Sequence, residues 1–159
     1  MRETHRGHQR GFSLIELLIV VAIILIIAAI AIPNLLRSKM AANEASAVAS
    51  CRTLNTTIVA YSTTYSTDPS TIASLGPATT PSSTTADLID SLLATGIKSG
   101  YTFTYTPVTG GSTITAYTIL AVPTSTSTGQ RKFFTDQSGV IRATTDGTVP
   151  TASSTPIGG

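Results

Sequence analysis

Residues 11–33 read GFSLIELLIVVAIILIIAAIAIP, and this stretch sets the architecture of the chain. From Leu17 to Ile32 every residue is Leu, Ile, Val or Ala, and with Phe12, Ser13, Leu14, Ile15 and Glu16 the run is 21 residues long. At ~1.5 Å per residue such a helix crosses a hydrocarbon core of ~30 Å. Arg2, Arg6 and Arg10 precede it against a single Glu3. Because basic flanks stay on the cytoplasmic side, residues after Ile32 are expected outside. One feature does not suit a plain anchor. Glu16 is a carboxylate near the start of a membrane span, where a charge costs up to ~3 kcal/mol depending on depth.

Three readings of this segment compete. A cleaved secretory signal has a small-x-small site in Ala29-Ile30-Ala31, which would leave a mature chain starting at Ile32. An h-region normally runs 7–15 residues, however, and this one is longer and carries a carboxylate. A single-span anchor accounts for the length but not for the order of residues at its front. The third reading accounts for Gly11-Phe12-Ser13-Leu14-Ile15-Glu16 directly after a short basic leader, with Pro33 at the far end.

The stretch GFSLIELLIVVAIILIIAAIAIPNLLRSK resembles the class III signal of type IV prepilins and type II secretion pseudopilins, most densely from Gly11 to about Lys39. The resemblance implies that a prepilin peptidase cuts between Gly11 and Phe12 and N-methylates Phe12. It also implies a homopolymer of this chain, an inner-membrane assembly machinery, and the membrane as the subunit's location before assembly. Glu16 lies four residues beyond Phe12, about 6 Å along a helix axis. A neighbouring copy's Phe12 ammonium facing this Glu16 would reward correct register, since either charge alone would stay desolvated. The simpler role is a carboxylate placed favourably at a helix N-terminus.

Outward from this segment, Pro33 removes a backbone donor and predicts a kink or a short melted stretch. Helical spacing then resumes. Val48, Cys51, Leu54, Ile58, Tyr61 and Tyr65 recur every three or four residues and form one stripe, read as the face that packs on a sheet. Asn43, Ala47, Thr57 and Thr64 are expected on the opposite face. Residues 67–83, with Asp68-Pro69, Gly76-Pro77 and Thr80-Pro81, read as loop. A short helix is expected near 85–95, capped by Thr84 or Thr85, with Leu88, Ile89, Leu92 and Leu93 on one face and Gly96 as the stop. Asp87 and Asp90 flank that face as solvated carboxylates. Strand signals follow in Tyr101–Tyr105, Thr113–Val122, Arg131–Thr135 and Val140–Ala143. The expected fold class is therefore α+β. A long N-terminal helix, half membrane-spanning and half amphipathic, packs on a small antiparallel sheet of four strands.

The domain reading is a leader over 1–11, a transmembrane and polymerisation helix over 12–33, its amphipathic continuation over 34–66, a β-rich head over 67–144, and a flexible tail over 145–159. Composition agrees with an extracytoplasmic structural protein. Ser and Thr occupy 47 positions and charged residues only 11%, a mix that suits exposed strand faces. From Phe12 onward seven Lys/Arg balance seven Asp/Glu, so no basic footprint for nucleic acid exists, and nucleic acid enters only if the filament serves DNA uptake. His5 and His8 both lie in the leader, and Cys51 is the sole cysteine. Without a base beside any serine, a ligand cluster or a phosphate loop, the sequence predicts neither an enzyme nor a cofactor. Asp136 and Asp146, the candidates for a calcium loop of the pseudopilin kind, are read as turn residues, and Cys51 as a small buried hydrophobe. The expected function is a structural subunit of a type IV pilus-like filament used for adhesion, motility or DNA uptake. The alternatives are a periplasmic pseudopilus subunit and a conventionally secreted protein.

Overall fold

A continuous helix, α1, runs from Leu14 to Tyr65 and dominates the computed structural model, which describes residues 11–111 and 113–158. Residues 1–10, which hold most of the expected leader, Ser112 and Gly159 lie outside the described residues. The chain divides between Arg37 and Ser38 into two units, each taken by itself.

In the first unit, every large apolar side chain from Leu14 to Leu36 is exposed. Among the described residues, this stretch makes α1 the one helix long and apolar enough to cross a membrane, with a mean hydropathy of 3.3 over its best window. Pro33 stays inside α1 with helical residues on both sides, so the expected melted stretch is absent. The missing N–H removes only the bond to the Ala29 carbonyl, and intact turns on either side carry the helix through.

In the second unit, α1 buries Ala47, Ser50, Cys51, Leu54, Asn55, Ile58 and Tyr61. This stripe packs on the inner face of a sheet that presents Tyr101, Phe103, Tyr117, Ile119, Ala121 and Phe133. Two residues expected on the outer face belong to this side. Ala47 is fully buried, because it lies one turn before Cys51, and Asn43 donates from Nδ2 to the Thr128 carbonyl at 2.9 Å. The outer face is rich in threonine, and the hydroxyls of Thr53, Thr56, Thr57, Thr63 and Thr64 each donate to the carbonyl four residues back. The side chains thereby bond to the helix backbone instead of competing with it.

Beyond α1, a 3-10 helix over Ile72–Leu75 is capped by Thr71, which lies in the stretch read as loop. The helix expected near 85–95 shortens to α2, Ser91–Ala94, capped by Asp90 rather than Thr84 or Thr85. The reason is tertiary. The Ile89 N–H, which a helix capped at Thr85 would need, donates to the Leu75 carbonyl instead, and Asp87 adopts a positive φ of 55°, outside the α-helical region. The expected apolar face divides accordingly: Ile89 and Leu93 are buried, while Leu92 is 62% exposed.

The sheet is a five-stranded antiparallel meander in the order β1 (Ile97–Lys98), β2 (Tyr101–Gly110), β3 (Thr113–Pro123), β4 (Lys132–Asp136) and β5 (Arg142–Thr144). Strand β1 was invisible to the pattern reading, since two residues offer no alternation. It exists because Ser99 and Gly100 both adopt positive φ, 50° and 72°, the geometry of a two-residue hairpin turn. Residues 145–158, expected as a flexible tail, bond to the last strand and the residue before it. Ala143 N–H donates to the Thr155 carbonyl at 3.1 Å, and Ile157 N–H to the Ile141 carbonyl at 2.9 Å. The Arg142 guanidinium donates to the Ser154 carbonyl at 2.9 Å. The tail thus satisfies backbone groups that an edge strand would leave open. Tyrosine hydroxyls tie loops to the core: Tyr105 donates to the Pro69 carbonyl and Tyr101 to the Arg131 carbonyl. The result is an α+β, pilin-like fold.

Candidate assembly and processing site

Gly11 and Phe12 precede the first turn of α1, and Ser13 is the residue from which the helix starts. Phe12 is 79% exposed. Nothing lies within 4 Å of where a Cβ on Gly11 would sit, and its φ is not in the left-handed region. Among the described residues, neither packing nor backbone geometry therefore demands glycine at position 11.

Glu16 occupies the first turn, and its Oε2 accepts a hydrogen bond from the Ser13 N–H at 2.9 Å. Ser13-Leu14-Ile15-Glu16 is the S-x-x-E arrangement in which the third helical residue reaches back to the N-cap N–H. The structure thus brings Ser13 and Glu16 together and gives the carboxylate a local helix-end role. Ser13 was missed as a partner although the four-residue pattern carries it openly. Pro33 lies far along the helix and touches neither residue group.

The other candidates resolve into structure. Asp136 Oδ1 accepts from the Ser138 N–H at 2.9 Å, and Asp146 Oδ1 from the Thr148 N–H at 3.1 Å. Each carboxylate therefore closes a turn of its own. The hydroxyl of Thr148 holds the Asp146 carboxyl below its ordinary range. Asp90 is lowered by its bond to Lys98 at 2.7 Å and by its cap on Leu93, so it is a paired cap rather than a free solvated carboxylate. Among the described residues no three His, Cys, Asp or Glu side chains gather. Cys51 is fully buried, and burial pushes its thiol up to about 12, which keeps it protonated and unreactive at neutral pH.

A basic leader, an open glycine, an exposed aromatic and a helix-first carboxylate before a long apolar run define a prepilin-type N-terminus. A family profile described as the prokaryotic N-terminal methylation motif matches residues 6–32. The chain is also 63% identical over 35 residues to the type IV wide pilus major component PilA4 of Thermus thermophilus. That match covers 22% of this chain and 27% of the relative. No solved structure matches. The likeness to type IV pilins therefore lies in the N-terminal segment of the chain.

Proposed function

We propose that the chain is a structural subunit of a type IV pilus-like filament, made as a precursor and polymerised through the N-terminal half of α1. The observation that carries this reading is the exposed apolar surface of residues 14–36, fronted by Glu16 as its single carboxylate. In water that surface cannot stay open, since each large apolar side chain gains ~1.5–3 kcal/mol on burial. In a bilayer it is solvated by lipid, so the membrane holds monomers without forcing them together. Extraction into a bundle of identical helices then covers it.

In this reading the precursor spans the inner membrane once, with the leader cytoplasmic, and ends in an extracellular pilus. A prepilin peptidase cuts after Gly11. The open space at Gly11 supports this, because an enzyme that must close around the cut is a reason for glycine that the described residues do not supply. The new Phe12 amine is methylated, and its ammonium becomes available to Glu16 of an adjacent copy, which exchanges the Ser13 N–H for a full opposite charge. The subunit's role is mechanical and calls for no catalysis or cofactor.

The second reading, a pseudopilin in a periplasmic secretion pseudopilus, shares every step up to assembly. The printed description of the relative, a major pilus component, supports the pilus. Electron microscopy of material sheared from cells expressing the full chain decides between them. Long surface filaments containing this chain are expected, and its confinement to the periplasm would overturn the pilus reading.

A further inference from the structure

Within the second unit, apolar contact is not alone in determining where α1 sits on the sheet. Such contact is non-directional. A slip of one turn, about 5.4 Å, would set Asn43, Ala47, Ser50, Leu54 and Thr57 in the places of Ala47, Cys51, Leu54, Ile58 and Tyr61, which packing opposes through lost apolar volume. One buried residue opposes it by direction. Asn55, 9% exposed, donates from Nδ2 to Thr135 Oγ1 at 2.8 Å and accepts on Oδ1 from the Tyr117 hydroxyl at 3.2 Å. Its Nδ2 also reaches the Gly139 carbonyl at 3.4 Å. Thr135 is fully buried and Tyr117 3% exposed. One amide thus joins α1 to β3, to β4 and to the turn after β4.

A second polar latch sits on nearly the same helix face. Eleven residues separate Glu44 from Asn55, about three turns. Glu44 Oε1 accepts from the Gln130 and Arg131 N–H groups at 2.9 and 3.1 Å, beside the Asn43 bond to Thr128. A one-turn slip would break both latches and leave the Asn55 amide, the Thr135 hydroxyl and the Tyr117 hydroxyl buried without partners, which is unfavourable for each. Buried polar groups of this kind fix register with a directionality that apolar surfaces lack.

We infer that Asn55, backed by Glu44, is the positioning pair that fixes the register of α1 on the head, so that the sheet meets the same turns of α1 in every copy. This inference rests on the filament reading: a polymer repeated through its helices needs identical subunits, and a one-turn error in any copy would offset its head from its neighbours'.

Distance and assembly test it separately. Spin labels at Thr53→Cys and Thr102→Cys, in the full chain carrying Cys51→Ser and held in detergent, report helix against sheet. The parent should give one distance. Asn55→Leu with Tyr117→Phe and Thr135→Val, which removes the buried hydroxyl–amide network, combined with Glu44→Ala and Asn43→Ala, which remove the second latch, should keep near-ultraviolet dichroism but add a population displaced by about 5.4 Å. If that variant does not fold, the milder Asn55→Ser with Glu44→Ala is read the same way. The same variants, unlabelled, should yield sparse or irregular filaments where the parent yields regular ones. A single parental distance in the variant overturns the register role. A displaced population accompanied by regular filaments overturns its link to assembly. A parent that makes no filament defeats the filament reading instead, and the distance measurement still decides the register.

Discussion

Raising the pH should unfold the sheet-bearing unit in a steep step, because its core holds groups that keep their protons only while folded. Burial pushes the Cys51 thiol from 9.0 to about 12, and burial, then the charges of Asp68 and Asp136, pushes the Tyr117 hydroxyl from 10.0 to about 12. Tyr101 and Tyr105 are raised as well, by burial first and then by the charges of Glu44 and Asp68 respectively. In each case the unfolded chain releases the proton first, so above the unfolded value the folded state binds more protons and stability falls as pH rises. Each such group removes ~1.4 kcal/mol per pH unit. Cys51 alone accounts for ~1.4 kcal/mol between pH 9 and 10, and the four groups together for ~5.5 kcal/mol over the next unit. Losing ~7 kcal/mol by about pH 11 matches the whole stability of many domains. Stability should be complete below about pH 9, and the transition should fall between roughly pH 10.5 and 12. Tyrosinate absorbance near 295 nm and near-ultraviolet dichroism, followed on the full chain in detergent, should change together. Tyrosines 101, 105 and 117 ionising gradually near pH 10 with the dichroism intact would refute the reasoning. Cys51→Ala should delay the onset by about one pH unit.

The remaining predictions concern processing and assembly. Intact mass spectrometry of mature protein should find a chain beginning at methylated Phe12. Gly11→Val should leave the leader attached while the fold is unchanged, because the added side chain meets open space among the described residues. A mature N-terminus at Ile32 would instead establish a conventional signal. Glu16→Ala should cost the local bond to Ser13, worth about 1 kcal/mol at an exposed helix end, and leave insertion and cleavage intact. Filament yield should nonetheless collapse, and normal filaments would reduce Glu16 to its helix-end role. A chain starting near Ala42 should be soluble, monomeric and folded by light scattering and circular dichroism, since the buried core lies wholly after residue 46. Aggregation or loss of the sheet signal would contradict that division.

Much of this was readable from residue order, for reasons of scale. Long elements announce themselves: the apolar run and the Cys51–Leu54–Ile58–Tyr61 spacing gave α1 nearly to its last residue, and alternating aromatics and threonines gave β2 and β3. What escaped depended on partners distant in sequence. Residues 86–89 carry a helical pattern, yet their N–H groups are taken by the 3-10 turn before them. The tail from Thr144 is polar and reads as free, yet an open strand edge binds it. Asn55 adjoins the apolar stripe, and nothing local reveals the two hydroxyls it meets across the core. At the N-terminus the situation is reversed. Gly11, Phe12 and Glu16 form a contiguous motif legible without a fold, and only the Ser13 cap beside them went unread.

The threonine face of α1 has a consequence for its hydration. Thr53, Thr56, Thr57, Thr63 and Thr64 direct their protons into the helix, so each shows the solvent a methyl group and spare acceptor lone pairs but no donor. Water there can donate hydrogen bonds to these hydroxyls and receive none from them. A composition-based scale rates this face as polar, yet a surface laid against it would displace a thin and weakly held water layer. Its wetting should therefore resemble that of alanine more closely than that of serine.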